Sequence, residues 1–308
     1  MPKIAGLPSS LNSTVMVVCH DAGAANLVFA WLRDWTESGL LEEFKFKLLL
    51  LGPAEKIWMQ NPVPLPQMVW LTELSNGLEG CQTVLTGTGW ASTLEHDARQ
   101  LAASLQIPSI AVIDHWVNYR QRFERQGLVV LPSQIWVSDP YAESLVKTLF
   151  KDVPVLTLPN VYLKDLIKDI PPVKQNCRNL LYVLEPLRTD WGRGQPGEFQ
   201  ALDYFVEHLQ KIVGAKPVQI TLRPHPSDPV GKYDEWIDLH SNINIQLDTQ
   251  ISLKEAVAQA RWVVGANTFA IVVASAAGRE TYSSLPPWGG HFHLTKLGIR
   301  ELRVINNN

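Results

Sequence analysis

Short apolar runs rich in β-branched residues alternate along the chain with longer stretches whose apolar positions recur every three or four residues. Residues 14–19, 44–51, 67–71, 83–85, 107–113, 134–137 and 153–158 read as strands. Several of them are apolar throughout instead of alternating, which predicts parallel sheet covered on both faces. Between them, Leu27, Phe29, Ala30, Trp31, Leu32 and Trp35 form a largely buried helix. A second helix runs to about Gln106, and a third opens at Asp139-Pro140, a capping residue followed by proline in the first turn.

Residues 164–179 break this rhythm with lysines, aspartates and Pro171-Pro172, as an interdomain linker does. The alternation then restarts. Strands are expected at 179–184, 218–222, 243–245 and 261–264. Helices are expected at 198–213, near 231–239, from the Ser252 cap to 260, and at 269–277, where Gly278 stops the last one. The pattern predicts an α/β protein of two doubly wound halves. The expected division is an N-terminal domain over 1–165, a linker over 166–178 and a C-terminal domain over 179–308.

Length and composition agree with that division. The chain has 308 residues, enough for two cores, with 46% hydrophobic and 19% charged residues, and is not of disordered type. A net charge of −3 argues against a general nucleic-acid binder. Three scattered cysteines, Cys19, Cys81 and Cys177, make neither a disulfide framework nor a zinc spacing, and predict a reducing compartment. No run reaches the ~20 apolar residues of a membrane helix. Residues 1–13 lack the apolar centre of a leader. The expected location is the cytoplasm, compatible with attachment to the inner face of a membrane. Most of the eleven tryptophans are expected in the core.

Candidate chemistry collects where strands end, which is the ligand edge of an open α/β sheet. The central stretch is Arg223-Pro224-His225-Pro226, in which two prolines stop a strand and stiffen the loop that carries a cation and an imidazole. A proline-rich surface turn is the plain alternative. The first strand ends in His20 and Asp21, suited to proton transfer, although Asp21 can equally serve as a helix cap. Gly87, Thr88 and Gly89 form a glycine-bearing turn before a helix, with Ser92 and Thr93 near its start. This suits either close backbone approach to a ligand or a tight turn with a serine cap. Residues 114–123 hold Asp114, His115, Asn118 and Arg122 among aromatics, too many functional groups for a plain connector. Gly265, Asn267 and Thr268 precede the small apolar helix that contains Ser275. No cluster with metal-ligand spacing appears, and no cofactor is expected.

The Arg223-Pro224-His225-Pro226 stretch resembles the His-Pro motif of bacterial sialyltransferases and polysialyltransferases. It also resembles the related element of CDP-glycerol glycerophosphotransferases. Residues 264–268, continuing to Gly278-Arg279-Glu280-Thr281, are similar to the second donor element of those families. The resemblance covers residues 180–285. It implies a GT-B-like fold, two Rossmann-like domains facing each other across a cleft, with the donor on the C-terminal side and the acceptor on the N-terminal side. It also implies that His225 contacts the donor phosphate. Arg188, Arg223, Asn267, Thr268, Gly265 and Ser275 complete the expected donor set. The expected base is Asp21, with His20, Asp114 and His115 as alternatives. Gly87, Thr88, Gly89, Asn118 and Arg122 are the expected cleft loops. The chain departs from UDP-sugar enzymes at residues 272–276, where a ribose-binding glutamate is missing, and at Arg279-Glu280, where Lys-Pro is usual.

The expected function is therefore a metal-independent, inverting glycosyltransferase. It would transfer a CMP- or UDP-linked sugar to a glycan or lipid-linked acceptor in cell-surface polysaccharide or glycolipid synthesis. The alternatives are a non-hydrolysing UDP-sugar 2-epimerase, a CDP-alcohol phosphotransferase, and a non-catalytic nucleotide-sugar or glycan-binding protein on the same scaffold.

Overall fold

The first strand, β1 (Val15–Cys19), is wholly buried, as its unbroken apolar sequence requires. In this computed structural model, which describes residues 6–75, 77–187, 189–248, 251–292, 294 and 298–305, the chain splits into two compact units, Met1–Tyr162 and Leu163–Asn308.

In unit 1, β1 leads to α1 (Ala22–Glu37), β2 (Lys45–Leu50), α2 (Gly52–Gln60), β3 (Gln67–Trp70), β4 (Thr83–Thr86), α3 (Leu94–Ser104) and β5 (Ser109–Val112). There follow a short hairpin, β6 (Glu124–Arg125) and β7 (Leu128–Val129), then β8 (Gln134–Val137), α4 (Pro140–Leu149) and β9 (Val155–Thr157). The unit boundary falls inside α5 (Val161–Ile167). The sheet order is β3-β2-β1-β4-β5-β8-β9, parallel throughout. Strand order reverses between β1 and β4. Below the sheet, Trp31 and Trp35 of α1 pack edge-on to Trp136 of β8.

Unit 2 repeats the plan. It contains β10 (Asn179–Val183), α6 (Gly197–Val213), β11 (Gln219–Arg223), α7 (Asp234–Leu239), β12 (Ile245–Leu247), α8 (Leu253–Gln259), β13 (Trp262–Gly265), α9 (Phe269–Ala276), β14 (Glu280–Ser283) and β15 (Arg300–Glu301). The order β12-β11-β10-β13-β14-β15 is again parallel. Here the reversal lies between β10 and β13. At such a reversal two helices leave opposite faces of the sheet, so a crevice opens beyond the strand ends.

Several details differ from the sequence expectation. A helix not expected from the pattern, α2, opens at Gly52-Pro53; Gly52 takes φ +59°, and Pro53 supplies a helix-ready φ in the first turn. The hairpin β6–β7 is built on Gln126 and Gly127, both at positive φ (51° and 78°), as a two-residue turn of the right twist demands. Its apolar residues are too few to show periodicity. The segment expected to be linker begins inside α5, and Glu280–Ser283 forms a further strand beyond those expected. Seven tryptophans (31, 35, 58, 116, 136, 236 and 262) are buried, whereas Trp90 and Trp288 are 49% and 39% exposed. Among the described residues no helix is long and apolar enough to cross a membrane.

Candidate functional site

In unit 1 the reversal places His20-Asp21, after β1, beside Gly87-Thr88-Gly89, after β4. Asp21 occupies the N-cap position of α1 with extended backbone, yet its side chain accepts no capping hydrogen bond. Its Oδ1 instead meets His20 Nδ1 at 3.2 Å, both side chains being partly exposed. A Cβ at Gly89 would fall 1.8 Å from Asp21 Oδ2, and one at Gly23 would fall 1.7 Å from Asp114 Oδ2. Both carboxylates therefore lie directly on backbone where only glycine fits.

Beneath these loops lies a charged pair that the sequence reading did not single out. Glu95, fully buried on α3, accepts from the His20 N–H at Oε1 (3.0 Å) and from the Gly89 N–H at Oε2 (2.9 Å). One carboxylate thus ties the β1 and β4 loops across the reversal. Burial pushes its pKa up, with the negative Asp21 adding to the rise and the two N–H donors and Arg99 opposing it. Arg99, one turn further, is also buried. It donates to Thr86 Oγ1, Gly87 O and Arg122 O, and burial lowers its pKa to about 10. The clue was in the pattern: Glu95 and Arg99 share a helical stripe with Ala98 and Ala102, both fully buried. Charges at core-facing positions mark an internal network.

The 114–123 loop is held rather than open. Asp114 pairs with buried Arg122 at 2.8 Å, and Arg122 also donates to Thr88 Oγ1 and Val117 O. Thr88 Oγ1 in turn donates to Val112 O, so Thr88 and Arg122 support the loop from inside. Trp90 lies over the Arg122 guanidinium, 5.4 Å from ring centroid to carbon. His115 packs against Trp116, whose N–H reaches Asp139. Asn118, exposed and at φ 59°, supplies a carbonyl to the Arg122 N–H. Burial raises the thiol of Cys19, with Glu95, Asp21 and Asp114 contributing; all three acids therefore surround the end of β1.

In unit 2 the Arg-Pro-His-Pro loop is anchored by Asp228. This carboxylate accepts from the His225 N–H (3.0 Å), Tyr233 O–H (2.9 Å) and Lys232 Nζ (2.7 Å), and Lys232 also reaches Glu198. Burial would raise the Asp228 carboxyl, but these donors outweigh it and hold it below its usual range. The His225 ring is exposed, and its Nδ1 accepts from the Ser227 N–H (3.2 Å). Nδ1 also lies 2.7 Å from Ser227 Oγ, so both contacts fix the ring over its own loop. Arg223 turns elsewhere: its Nη1 donates to Asp248 Oδ2 (3.0 Å) and Ile251 O (2.7 Å), so its charge is already paired.

Across the β10/β13 reversal, Glu185 accepts from the Asn267 N–H. Burial lifts the Glu185 carboxyl to about 7, with the Asn267 N–H opposing. Asn267 Oδ1 is buried with no hydrogen-bond partner among the described residues. Thr268 caps α9 by accepting from the Ala270 N–H. Gly265 has a packing role: a Cβ there would strike Val183, Ile271 and Thr268 at 2.9–3.0 Å. Ser275 stands in the last turn of α9, about 10 Å along the axis from Thr268, so the fold does not bring it to the Asn267 end. Arg188 lies outside the described residues. Among those residues, no group of three or more His, Cys, Asp or Glu is placed to hold a metal ion.

No protein-family model matches the chain, and no curated protein matches it in sequence. Solved structures do. A putative UDP-N-acetylglucosamine 2-epimerase from Listeria monocytogenes superposes with a TM-score of 0.65 and 11% identity, over 93% of this chain and 82% of that one. The UDP-GlcNAc 2-epimerase from Neisseria meningitidis, solved bound to UDP-GlcNAc, gives 0.60 and 10%, over 93% and 86%. MurG from Acinetobacter baumannii gives 0.51 and 12%, over 96% and 87%. The fold is GT-B. Two Rossmann-like units, each with a single strand-order reversal, account for that likeness, and identities this low extend it no further than the fold.

Proposed function

We propose that the chain is a metal-independent, inverting glycosyltransferase that takes a CMP- or UDP-linked sugar for cell-surface polysaccharide or glycolipid synthesis. The observation that carries this reading is Asp21. It sits where a helix cap belongs, makes no cap, and instead presents a partly exposed carboxylate beside His20 at the end of β1. A carboxylate withheld from its structural use at a ligand edge suits a general base.

In this scheme Asp21 takes the proton of an acceptor hydroxyl on a glycan or lipid-linked acceptor. The acceptor oxygen attacks the anomeric carbon from the face opposite the phosphate. The bond from that carbon to the phosphate oxygen breaks, and the nucleotide leaves with the electron pair. The leaving phosphate needs hydrogen-bond donors, and unit 2 carries groups of that kind in the exposed His225 ring and the N-terminus of α9, where Asn267 and Thr268 stand. Arg223, paired with Asp248, contributes position more than charge.

A 2-epimerase is the second reading. It is favoured by the gathering of Asp21, Glu95 and Asp114 around one strand end, which offers acid and base groups to a sugar carbon. Two steps separate the readings. A thermal-shift screen against CMP, UDP, GDP, CDP and their sugars identifies the donor, since a ligand at 100-fold its Kd adds about 2.7 kcal/mol of stability. The donor is then incubated without acceptor. An unchanged donor that is consumed once acceptor is added supports transfer; isomerisation without acceptor supports the epimerase.

A further inference from the structure

Two exposed side chains at the strand-end edge of unit 2 are fixed more firmly than surface residues need to be. Arg193, in the loop from β10 to α6, lies over the ring of Trp288, in the loop after β14, at 3.9 Å from the centroid. The guanidinium makes no ion pair and no side-chain hydrogen bond among the described residues. All five of its N–H donors are therefore unspent. The indole beneath it is not free to swing: Trp288 Nε1–H donates to Gln200 Oε1 at 2.7 Å. Gln200, buried in the first turn of α6, uses its amide N–H groups on Asp190 O and Gln195 O, both at 2.6 Å. One glutamine thus locks the ring and the loop that carries the arginine.

The loop itself is folded in advance. Asp190 accepts from the Gly192 and Gly194 N–H groups, which hold its carboxyl below the usual range. Trp191 takes φ 48°, a left-handed conformation that a bulky residue adopts only when its surroundings impose it. A preformed loop, a locked aromatic base and an unpaired planar cation make a subsite whose ordering is complete before a ligand arrives. The planar fork of a guanidinium matches a phosphoryl group bidentately, and that of Arg193 is exposed and held 3.9 Å over the indole.

We infer that Arg193, stacked on Trp288, is a phosphate subsite of unit 2 that binds the nucleotide portion of the activated sugar. This inference rests on the nucleotide-sugar reading above and adds to it two residues outside the Arg-Pro-His-Pro and Asn267-Thr268 loops. The test is a double-mutant cycle on the full chain, with Kd measured calorimetrically for UMP, UDP, CMP and CDP against wild type, Arg193→Ala, Trp288→Ala and the double variant. Far-UV circular dichroism and melting temperature confirm that the exposed substitutions leave the fold intact.

The expected result is that Arg193→Ala weakens the nucleotide bound by wild type about 10- to 100-fold, the range of a charge-assisted contact. Trp288→Ala should weaken it about 10-fold, and the double variant should be no weaker than Arg193→Ala, because the indole acts only through the arginine. Equal affinity in wild type and Arg193→Ala overturns the subsite while leaving the nucleotide-sugar reading standing. Strictly additive losses overturn it as well. If wild type binds none of the four nucleotides, the proposed function fails and the subsite fails with it.

Discussion

Replacing Glu95 by glutamine removes one oxygen acceptor from a side chain that uses both. Glu95 is fully buried, and its two oxygens accept the backbone N–H groups of His20 and Gly89 at 3.0 and 2.9 Å. An amide can satisfy only one of them and turns its own N–H₂ toward the other. The lost bond to a charged acceptor is worth about 1.5–3 kcal/mol. A neutral amide is cheaper to bury than a carboxylate, which offsets part of the loss. A net destabilisation of about 2 kcal/mol follows, or a melting-point drop of about 4–8 °C for a unit of this size. The functional effect should be larger, because the broken bond releases one of the two loops that set Asp21 beside Gly89. A displacement of the base by about 1 Å can cost about 10²-fold in turnover. Scanning calorimetry and donor turnover on Glu95→Gln measure the two effects. A variant that melts within 1 °C of wild type and keeps full turnover would refute the reasoning, since Glu95 would then be neither a structural tie nor a positioning residue.

Other outcomes follow from the same geometry. Asp21→Asn should melt like wild type, since Asp21 caps nothing, yet lose about 10²–10⁴-fold in kcat with donor affinity retained; a lower melting point with normal turnover would assign the base elsewhere. His225→Ala should leave stability unchanged, the ring being exposed, and weaken nucleotide binding by roughly 1.5–3 kcal/mol, measured by titration calorimetry. The Glu185 carboxyl rises from an ordinary 4.5 to about 7 in the folded chain, so the folded state holds its proton more tightly than the unfolded state. Its contribution is present in full below pH 4.5 and is lost as pH rises toward 7, by about 3 kcal/mol over that window. Glu185→Gln should flatten that part of the stability–pH curve, and an unchanged slope would contradict the assignment.

The architecture was legible because parallel strands buried on both faces are written as unbroken apolar runs, of which residues 15–19 and 180–183 are clear cases. Turn chemistry was legible where a local rule governs it, as at Ser252, whose capping box with Glu255 is present, and Asp139, which accepts from the Ala142 N–H. Strand ends carrying His20, Asp21, His225, Asn267 and Thr268 were found for the same reason. Partnership across long sequence separations was not legible. Nothing local says that Glu95 reaches back to His20, that Arg223 is neutralised by Asp248, or that Glu185 meets Asn267. Those pairings are made by strand order, which brings β1 beside β4, β11 beside β12 and β10 beside β13 only once the sheet exists. Nor did the tryptophan count distinguish the buried rings from Trp288, which lies under Arg193 and is held by Gln200.

The most direct test of the central claim is a proton NMR time course of the donor identified by thermal shift, with a glycan acceptor and EDTA present. The account predicts that the donor anomeric signal disappears only with acceptor and wild-type chain, and that the new linkage has the opposite anomeric configuration. It also predicts that Asp21→Asn slows this at least about 10²-fold. Retention of configuration, dependence on added magnesium or manganese, or donor isomerisation without acceptor would contradict it.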